Sequence, residues 1–232
     1  MARITRKELK SDKFAQEVGL TVTFFEEHRE EIVRYGMIAA VVGLLVAGYV
    51  FYQRHEHVAR EEALTKAIQV QEAPVGPSAN GGVSFPTQEA KDQEALRVFT
   101  DLHSRYGGSE EGEIAEYYLG AIQADQGKLA EAEKSFEEVA KKGDEKYASL
   151  ARLSMAQIYF ADGHANLGEK TLRDLIAKPT IFVSKDQATI LLARYLALTN
   201  PAEARKLLDP LRTRPGAVGQ VAIQTYGEIV SH

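Results

Sequence analysis

The chain of 232 residues contains no cysteine. That absence excludes a disulfide framework, a thiolate nucleophile, a cysteine-ligated zinc finger and a lipid anchor on a thiol, while leaving the redox compartment open. Basic residues are not in excess: 28 Lys and Arg stand against 33 Asp and Glu, a formal net charge of −5. Such a balance gives no general attraction for a phosphate backbone, so no nucleic-acid partner is expected. Motifs that carry chemistry are missing too. There is no His-Glu-x-x-His, no Gly-Lys-Ser/Thr phosphate cradle, no Gly-x-Ser-x-Gly elbow, no dinucleotide fingerprint and no kinase signature. The six histidines (His28, His55, His57, His103, His164 and His232) are scattered. His55 and His57 stand two apart on a predicted helix, so their imidazoles point in different directions and do not pair on a metal. Carboxylates are plentiful but follow helix faces typical of solvated surface. The expectation is a protein that is not an enzyme, with no catalytic residues, no cofactor, no metal and no small-molecule substrate.

One further absence is local. From Tyr35 to Tyr52, eighteen consecutive residues carry no charge. As a helix rising ~1.5 Å per residue, this run covers ~27 Å, close to the hydrocarbon thickness of a bilayer. Arg34 and Arg54 bracket it, where long cationic side chains reach headgroups, and Tyr35, Tyr49 and Tyr52 sit near its ends as interfacial rings do. A cleaved signal peptide has a shorter apolar run and a small-x-small site after it. Here 34 residues precede the run and no Ala-x-Ala follows it, so it reads as an uncleaved transmembrane anchor. Within it Ala39, Gly43 and Ala47 lie four apart on one face, the spacing that lets two transmembrane helices approach closely.

The segment 1–34 reads as a tail with a short amphipathic helix, since Phe14, Val18, Val22 and Phe25 recur at helical spacing. Such a helix rests on the membrane or docks on a partner; a solvated helix running into the span is the alternative. Lys and Arg in this short tail (Arg3, Arg6, Lys7, Lys10, Lys13, Arg29 and Arg34) favour the cytoplasm by the positive-inside rule, with the C-terminal part outside; Arg54, Arg60 and Lys66 beyond the span balance Arg29 and Arg34, and a cytoplasm-facing receptor is the alternative. That C-terminal part carries all the surplus acid. Beyond the span, 53–86 divides into a juxtamembrane helix over 58–71 and a Pro/Gly-rich flexible loop over 74–86.

From residue 87 to 232 the sequence repeats with a period of 36. Leu119, Met155 and Leu191 align, as do Gly120, Ala156 and Leu192, then Gln123, Tyr159 and Tyr195. Gly127, Gly163 and Thr199 occupy a turn. Ala132, Gly168 and Ala204 follow, then Phe136, Leu172 and Leu208, then Val139, Leu175 and Leu211, with Gly143, Pro179 and Pro215 closing each unit. Each unit reads as a helical hairpin whose large residues interdigitate and whose small residues allow close crossing. One hairpin cannot bury its apolar face alone, so hairpins stack. Gly127 and Gly163 suit a left-handed helix end, and Asn200-Pro201 supplies a cap and a first-turn proline instead. Ala95, Phe99 and Leu102 repeat half the pattern, adding a unit whose first helix is 58–71, and 218–230 reads as a cap helix. The fold class is all-α: a transmembrane helix, then a solenoid of three to four hairpins with a C-terminal cap.

Leu119-Gly120, Ala132-x3-Phe136, Ala156-x2-Tyr159 and the closing Pro179 or Pro215 resemble the tetratricopeptide repeat, although the period is 36 residues and Gln123 replaces the usual aromatic. The resemblance implies that the first helices of successive hairpins line a concave face. Carried over unit by unit, it places Ile114, Tyr117, Ala121 and Ala124, then Leu150, Leu153, Gln157 and Phe160, then Asp186, Thr189, Ala193 and Leu196 in that groove. Members that clamp a C-terminal carboxylate carry Lys and Asn there; Tyr117, Ala121, Leu153 and Gln157 stand in their place. The groove is therefore expected to be mainly apolar, suited to unfolded or extended polypeptide or to a partner's helix, unless these residues pack against 58–71, the loop or the cap. The order of tail, anchor, juxtamembrane helix and repeats, with Arg6-Lys7-Glu8-Leu9-Lys10 at its start, is similar to the YfgM-like ancillary subunits of the SecYEG translocon. That resemblance implies a protein–protein interaction scaffold or co-chaperone at the bacterial inner membrane. Its partners would be the translocon and a membrane-anchored periplasmic chaperone.

Overall fold

The computed structural model describes residues 29–77 and 82–231. The predicted amphipathic stretch of Phe14, Val18, Val22 and Phe25 lies outside the described residues, as do the basic positions from Arg3 to Lys13. Among the described residues there are nine helices and no strand. The chain divides after Val58 into two units.

The first unit contains the apolar run. It belongs to helix α1, Arg29–Glu72, of 44 residues. An 18-residue window of α1 is long and apolar enough to cross a membrane, and none of that window is buried inside the protein. Leu44 is 74% exposed and Phe51 77%. A core helix of a soluble protein would bury such residues. The small positions Ala39, Gly43 and Ala47 are likewise exposed, and a Cβ added to Gly43 would meet nothing within 4 Å. The sequence suggested two helices, one ending near Tyr52 and one over 58–71; they form one. Residues 53–57 contain neither Gly nor Pro to interrupt the ladder. Side-chain bonds also bridge the junction, Gln53 Nε2 donating to the Tyr49 hydroxyl at 2.9 Å and the Tyr52 hydroxyl to Glu56 at 3.3 Å.

The second unit, Ala59–His232, contains the end of α1 and the remaining helices. These are α2 (Gln88–Tyr106), α3 (Glu110–Asp125), α4 (Leu129–Lys142), α5 (Glu145–Ala161), α6 (Ala165–Ala177), α7 (Lys185–Thr199), α8 (Pro201–Arg212) and α9 (Ala217–Ser231). From α2 onward each helix packs on the next, and α9 packs on both α7 and α8. The result is four hairpins and a cap. Helices start where short polar side chains take up orphan amides: Thr87, Ser109, Asp144, Ser184 and Asn200 each accept from a backbone N–H in the first turn of the helix they precede. The turns within the first two repeats are copies of each other. Gly127 and Gly163 lie at φ +75° and +77°, and behind them Lys128 N–H bonds Gln123 O at 2.9 Å and His164 N–H bonds Tyr159 O at 2.7 Å. This is the six-to-one closure of a left-handed helix end, which glycine adopts without steric cost. In the third unit Asn200 caps α8 and Pro201 occupies its first turn, as the sequence indicates.

The core follows the 36-residue columns. Ala132, Gly168 and Ala204 are buried, as are Phe136, Leu172 and Leu208, and Val139, Leu175 and Leu211. Each large member contributes roughly 1.5–3 kcal/mol on full burial. Leu192, large where the other units carry Gly120 and Ala156, is fully buried in a core it shares with the small Ala193, Ala204 and Ala222. The earlier half-pattern also holds: Ala95, Phe99 and Leu102 of α2 share a core with Ala67 of α1 and with Ala115, Leu119 and Ile122 of α3. Arg60 Nε lies 3.2 Å from the buried carboxylate of Glu111, tying the end of α1 to α3.

The stretch expected to be a flexible loop is pinned at its two ends. Gly76 N–H donates to Phe85 O at 2.8 Å and Phe85 N–H to Pro74 O at 3.1 Å, a bridge between Val75 and Phe85. Composition signals the Pro and Gly but not this pairing, because two residues ten apart carry no local signature.

Candidate functional site

The first helices of the repeats, α3, α5 and α7, carry the predicted groove residues, and they divide by burial. Ile114, Leu153, Thr189, Ala193 and Leu196 are buried. Tyr117, Ala121, Ala124, Leu150, Phe160 and Asp186 are half-buried, and Gln157 is exposed. In the third unit several of these side chains have partners within the chain. Ala193 and Leu196 share a core with Ala222 and Ile229 of the cap, Thr189 donates its hydroxyl to Lys185 O at 2.7 Å, and Asp186 is ion-paired with Arg214. Phe160 is also engaged, its ring stacked on Tyr195 with centroids 3.6 Å apart.

Two hollows border Gln157, and another, of about 670 Å³, is lined by Asp186 and Thr189 together with Ile176, Leu207 and Leu211. Of the two beside Gln157, one, of about 320 Å³, is lined by Ala121, Ala124, Leu129, Phe136 and Ser154. The other, of about 390 Å³, lies among α5, α7 and α9, with Leu153, Ile190, Leu191, Val218 and Val221 around Arg194. The second is mostly apolar, the character of a surface that takes up side chains of a polypeptide, whereas the first is bordered at least as much by polar groups, with Asp125, Ser154 and Gln157 on it.

The widest feature is aromatic. Phe99 stacks on Tyr118 at 4.8 Å; Tyr118 meets Tyr117 edge-on at 5.7 Å; Tyr117 meets Phe136 and Tyr147, both at 5.6 Å; and Tyr147 meets Phe182 at 5.4 Å. Such pairs are worth ~0.5–1.5 kcal/mol each beyond area burial. Burial pushes the Tyr147 hydroxyl up to about 12, with the neighbouring Tyr118, Tyr117, Glu110 and Asp144 adding to it. Burial likewise raises Glu113, against a backbone hydrogen bond at Asp144 that lowers it.

Only Tyr117 of this row was among the predicted groove residues. Tyr147 was legible in principle, since it precedes Leu150 by three and shares its helical face. Phe182 was not. It belongs to the segment 178–184, which Thr180 folds by donating its N–H to Val183 O at 2.9 Å while its hydroxyl accepts from Val183 N–H at 3.0 Å. Val183 is buried by that turn, leaving Ile181 and Phe182 outside.

The chain matches the family described as tetratricopeptide repeat-like domain over residues 23–185, more than two thirds of its length. It belongs to that family. A search of curated proteins finds no match to it. The match covers α1 to α6; the fourth hairpin, α7 and α8, and the cap lie beyond it. Domains of this kind are scaffolds for protein–protein interaction and typically lack catalytic activity, which makes protein partners the expected ligands. Among the described residues no three His, Asp or Glu side chains converge as a metal site needs.

Proposed function

We propose that the protein is a membrane-anchored scaffold or co-chaperone of the bacterial inner membrane. In this reading α1 holds it in the bilayer, the N-terminus is cytoplasmic and the repeats are periplasmic. The observation that carries it is the pairing of two features in one chain: an eighteen-residue run without charge or burial, and a stack of helical hairpins. Lipid is the solvent in which Leu44 and Phe51 stand exposed without penalty. The basic residues of the tail support the cytoplasmic N-terminus. The small face of Ala39, Gly43 and Ala47 serves as a contact for another transmembrane helix, and the groove around Tyr117, Leu150 and Gln157 receives extended polypeptide.

The resemblance of the layout to the YfgM-like subunits supports a role at the SecYEG translocon, beside a membrane-anchored periplasmic chaperone, on newly exported proteins. Crosslinking in intact cells followed by detergent extraction and identification of the captured proteins tests it. Translocon subunits and periplasmic folding factors are the expected prey. Recovery of a different envelope assembly would make the protein an adaptor for that assembly, and recovery of cytoplasmic proteins alone would make it a cytoplasm-facing receptor.

A further inference from the structure

The hollow among α5, α7 and α9 differs from its neighbours in charge. Leu153 and Ile190 on it are buried, and Leu191, Val218 and Val221 are half-buried. Among the described residues Arg194 is the one charged group that lines it, and no carboxylate does. The other two hollows each carry acid, Asp125 on one and Asp186 and Glu203 on the other. Elsewhere from α2 onward Arg97, Arg105, Arg173, Arg212 and Arg214 are each held by an Asp or Glu. Arg194 has no such partner among the described residues. Its Nε donates to the hydroxyl of the buried Thr225 at 3.4 Å, which ties the guanidinium to α9, and its remaining N–H groups make no hydrogen bond or ion pair there. Glu228, one turn beyond Thr225, accepts from Gln224 at 3.1 Å and lies outside the lining.

A guanidinium among aliphatic walls complements one chemistry: a carboxylate flanked by aliphatic groups. The planar fork takes a carboxylate through two parallel hydrogen bonds, and the bond strengthens where apolar walls keep water away. Gln157 and Gln187 also border the hollow, both exposed. Each side-chain amide both donates and accepts, which matches the backbone of a polypeptide and has no counterpart in a lipid tail. We infer that this hollow receives an Asp or Glu side chain flanked by aliphatic residues in an extended polypeptide. The carboxylate lies on Arg194, and the aliphatic neighbours lie against Leu191, Val218 and Val221. This assignment rests on the groove beside Gln157 receiving polypeptide, and it adds the class of sequence received.

The test uses the full chain in uncharged detergent and three fluorescein-labelled peptides of repeating Ser-Leu-Glu-Ser, Ser-Leu-Gln-Ser and Ser-Leu-Lys-Ser. Their C-termini are amidated, so that only side-chain carboxylates are read, and anisotropy is compared with protein-free micelles. The Glu peptide is expected to bind about threefold or more tighter than the Gln peptide, with the Lys peptide weakest and the differences shrinking as NaCl rises. Arg194→Gln, at an exposed position, should make the Glu and Gln peptides equal, and Arg194→Glu should favour the Lys peptide, both with native melting curves. Equal binding of the Glu and Gln peptides by the unaltered chain would overturn the carboxylate preference and leave the groove reading standing. A Glu preference that survives in both variants would overturn the assignment to this hollow. Binding of a fluorescent twelve-carbon fatty acid but of no peptide, lost in Arg194→Gln, would overturn the polypeptide occupant. No binding of any probe by protein with native melting would overturn both readings.

Discussion

Gly168 is the position where the repeat geometry can be tested with a single methyl group. A Cβ built on Gly168 would stand 2.6 Å from Phe160 Cε2, 2.7 Å from Cδ2 and 2.9 Å from Cζ. Carbon atoms do not approach that closely, so the ring has to move. Phe160 is not free to do so, because it stacks on Tyr195 with centroids 3.6 Å apart and planes within 9°. Two effects therefore compete in Gly168→Ala. Replacing glycine inside a helix stabilises by roughly 0.5–1 kcal/mol through the unfolded chain. Overpacking a fixed ring destabilises by ~1–3 kcal/mol. The second term wins, and a net loss of about 1–2 kcal/mol is expected, lowering Tm by roughly 2–8 °C for a domain of this size. Gly168→Leu should lose more. Thermal melting followed by circular dichroism reads the change, and Phe160→Leu in the same chain separates the causes. With the smaller residue in place, Gly168→Ala should become neutral or stabilising, a coupling only residues in contact show. A rise in Tm for Gly168→Ala with Phe160 present would refute the packing, since that is how an uncrowded helix glycine behaves. The equivalent positions in the other units explain why glycine occurs here: Ala132 and Ala204 are paired at the same offset with Ala124 and Leu196, neither of which is a ring.

Other expectations follow from single contacts. Glu111→Ala leaves Arg60, with 22% of its side chain exposed, without its buried carboxylate; breaking such a pair costs ~3–5 kcal/mol when fully enclosed, so about 2–3 kcal/mol is expected in urea unfolding, and a loss under 1 kcal/mol would contradict the tie between α1 and α3. Asn200→Ala removes a side chain that accepts from Glu203 N–H at 3.3 Å and donates to its carboxylate at 2.9 Å, and should lower stability by about 1 kcal/mol, read by the same titration. The Tyr147 hydroxyl, raised to about 12 from an ordinary 10, keeps its proton in the folded protein after the unfolded chain has lost it. Stability should therefore be unaffected by this group below pH 10 and fall as pH rises beyond it. In tyrosinate absorbance, the difference between wild type and Tyr147→Phe should appear near pH 12, and its appearance at pH 10 would show that the ring is solvated.

The repeat was legible because its determinants are local. The left-handed turns at Gly127 and Gly163, the cap at Asn200 and the buried columns through Phe136 and Val139 each follow from residue type at fixed spacing. So did the first unit, from Ala95, Phe99 and Leu102 alone. The uncharged run was legible for the same reason. The burial of the residues assigned to a groove was not legible. Tyr117 and Leu150 are half-buried, but Ala193 and Leu196 lie in a core shared with Ala222 and Ile229 of the cap, a tertiary contact that leaves no mark on α7's own sequence. Phe182 was missed because its exposure depends on a hydrogen-bonded turn that buries Val183 instead. The bridge from Val75 to Phe85 was missed because it pairs residues across a segment whose composition marks only a loop.

The account depends above all on α1 crossing a bilayer with the repeats outside. Alkaline phosphatase fused after His232, expressed in a bacterium with an intact α1, measures this directly, because the enzyme is active only when exported. Activity is the predicted result, and it should vanish when two arginines replace Leu44 and Leu45 in the middle of the run. An inactive fusion with a fluorescent cytoplasmic reporter at the same position would place the repeats in the cytoplasm and contradict the claim.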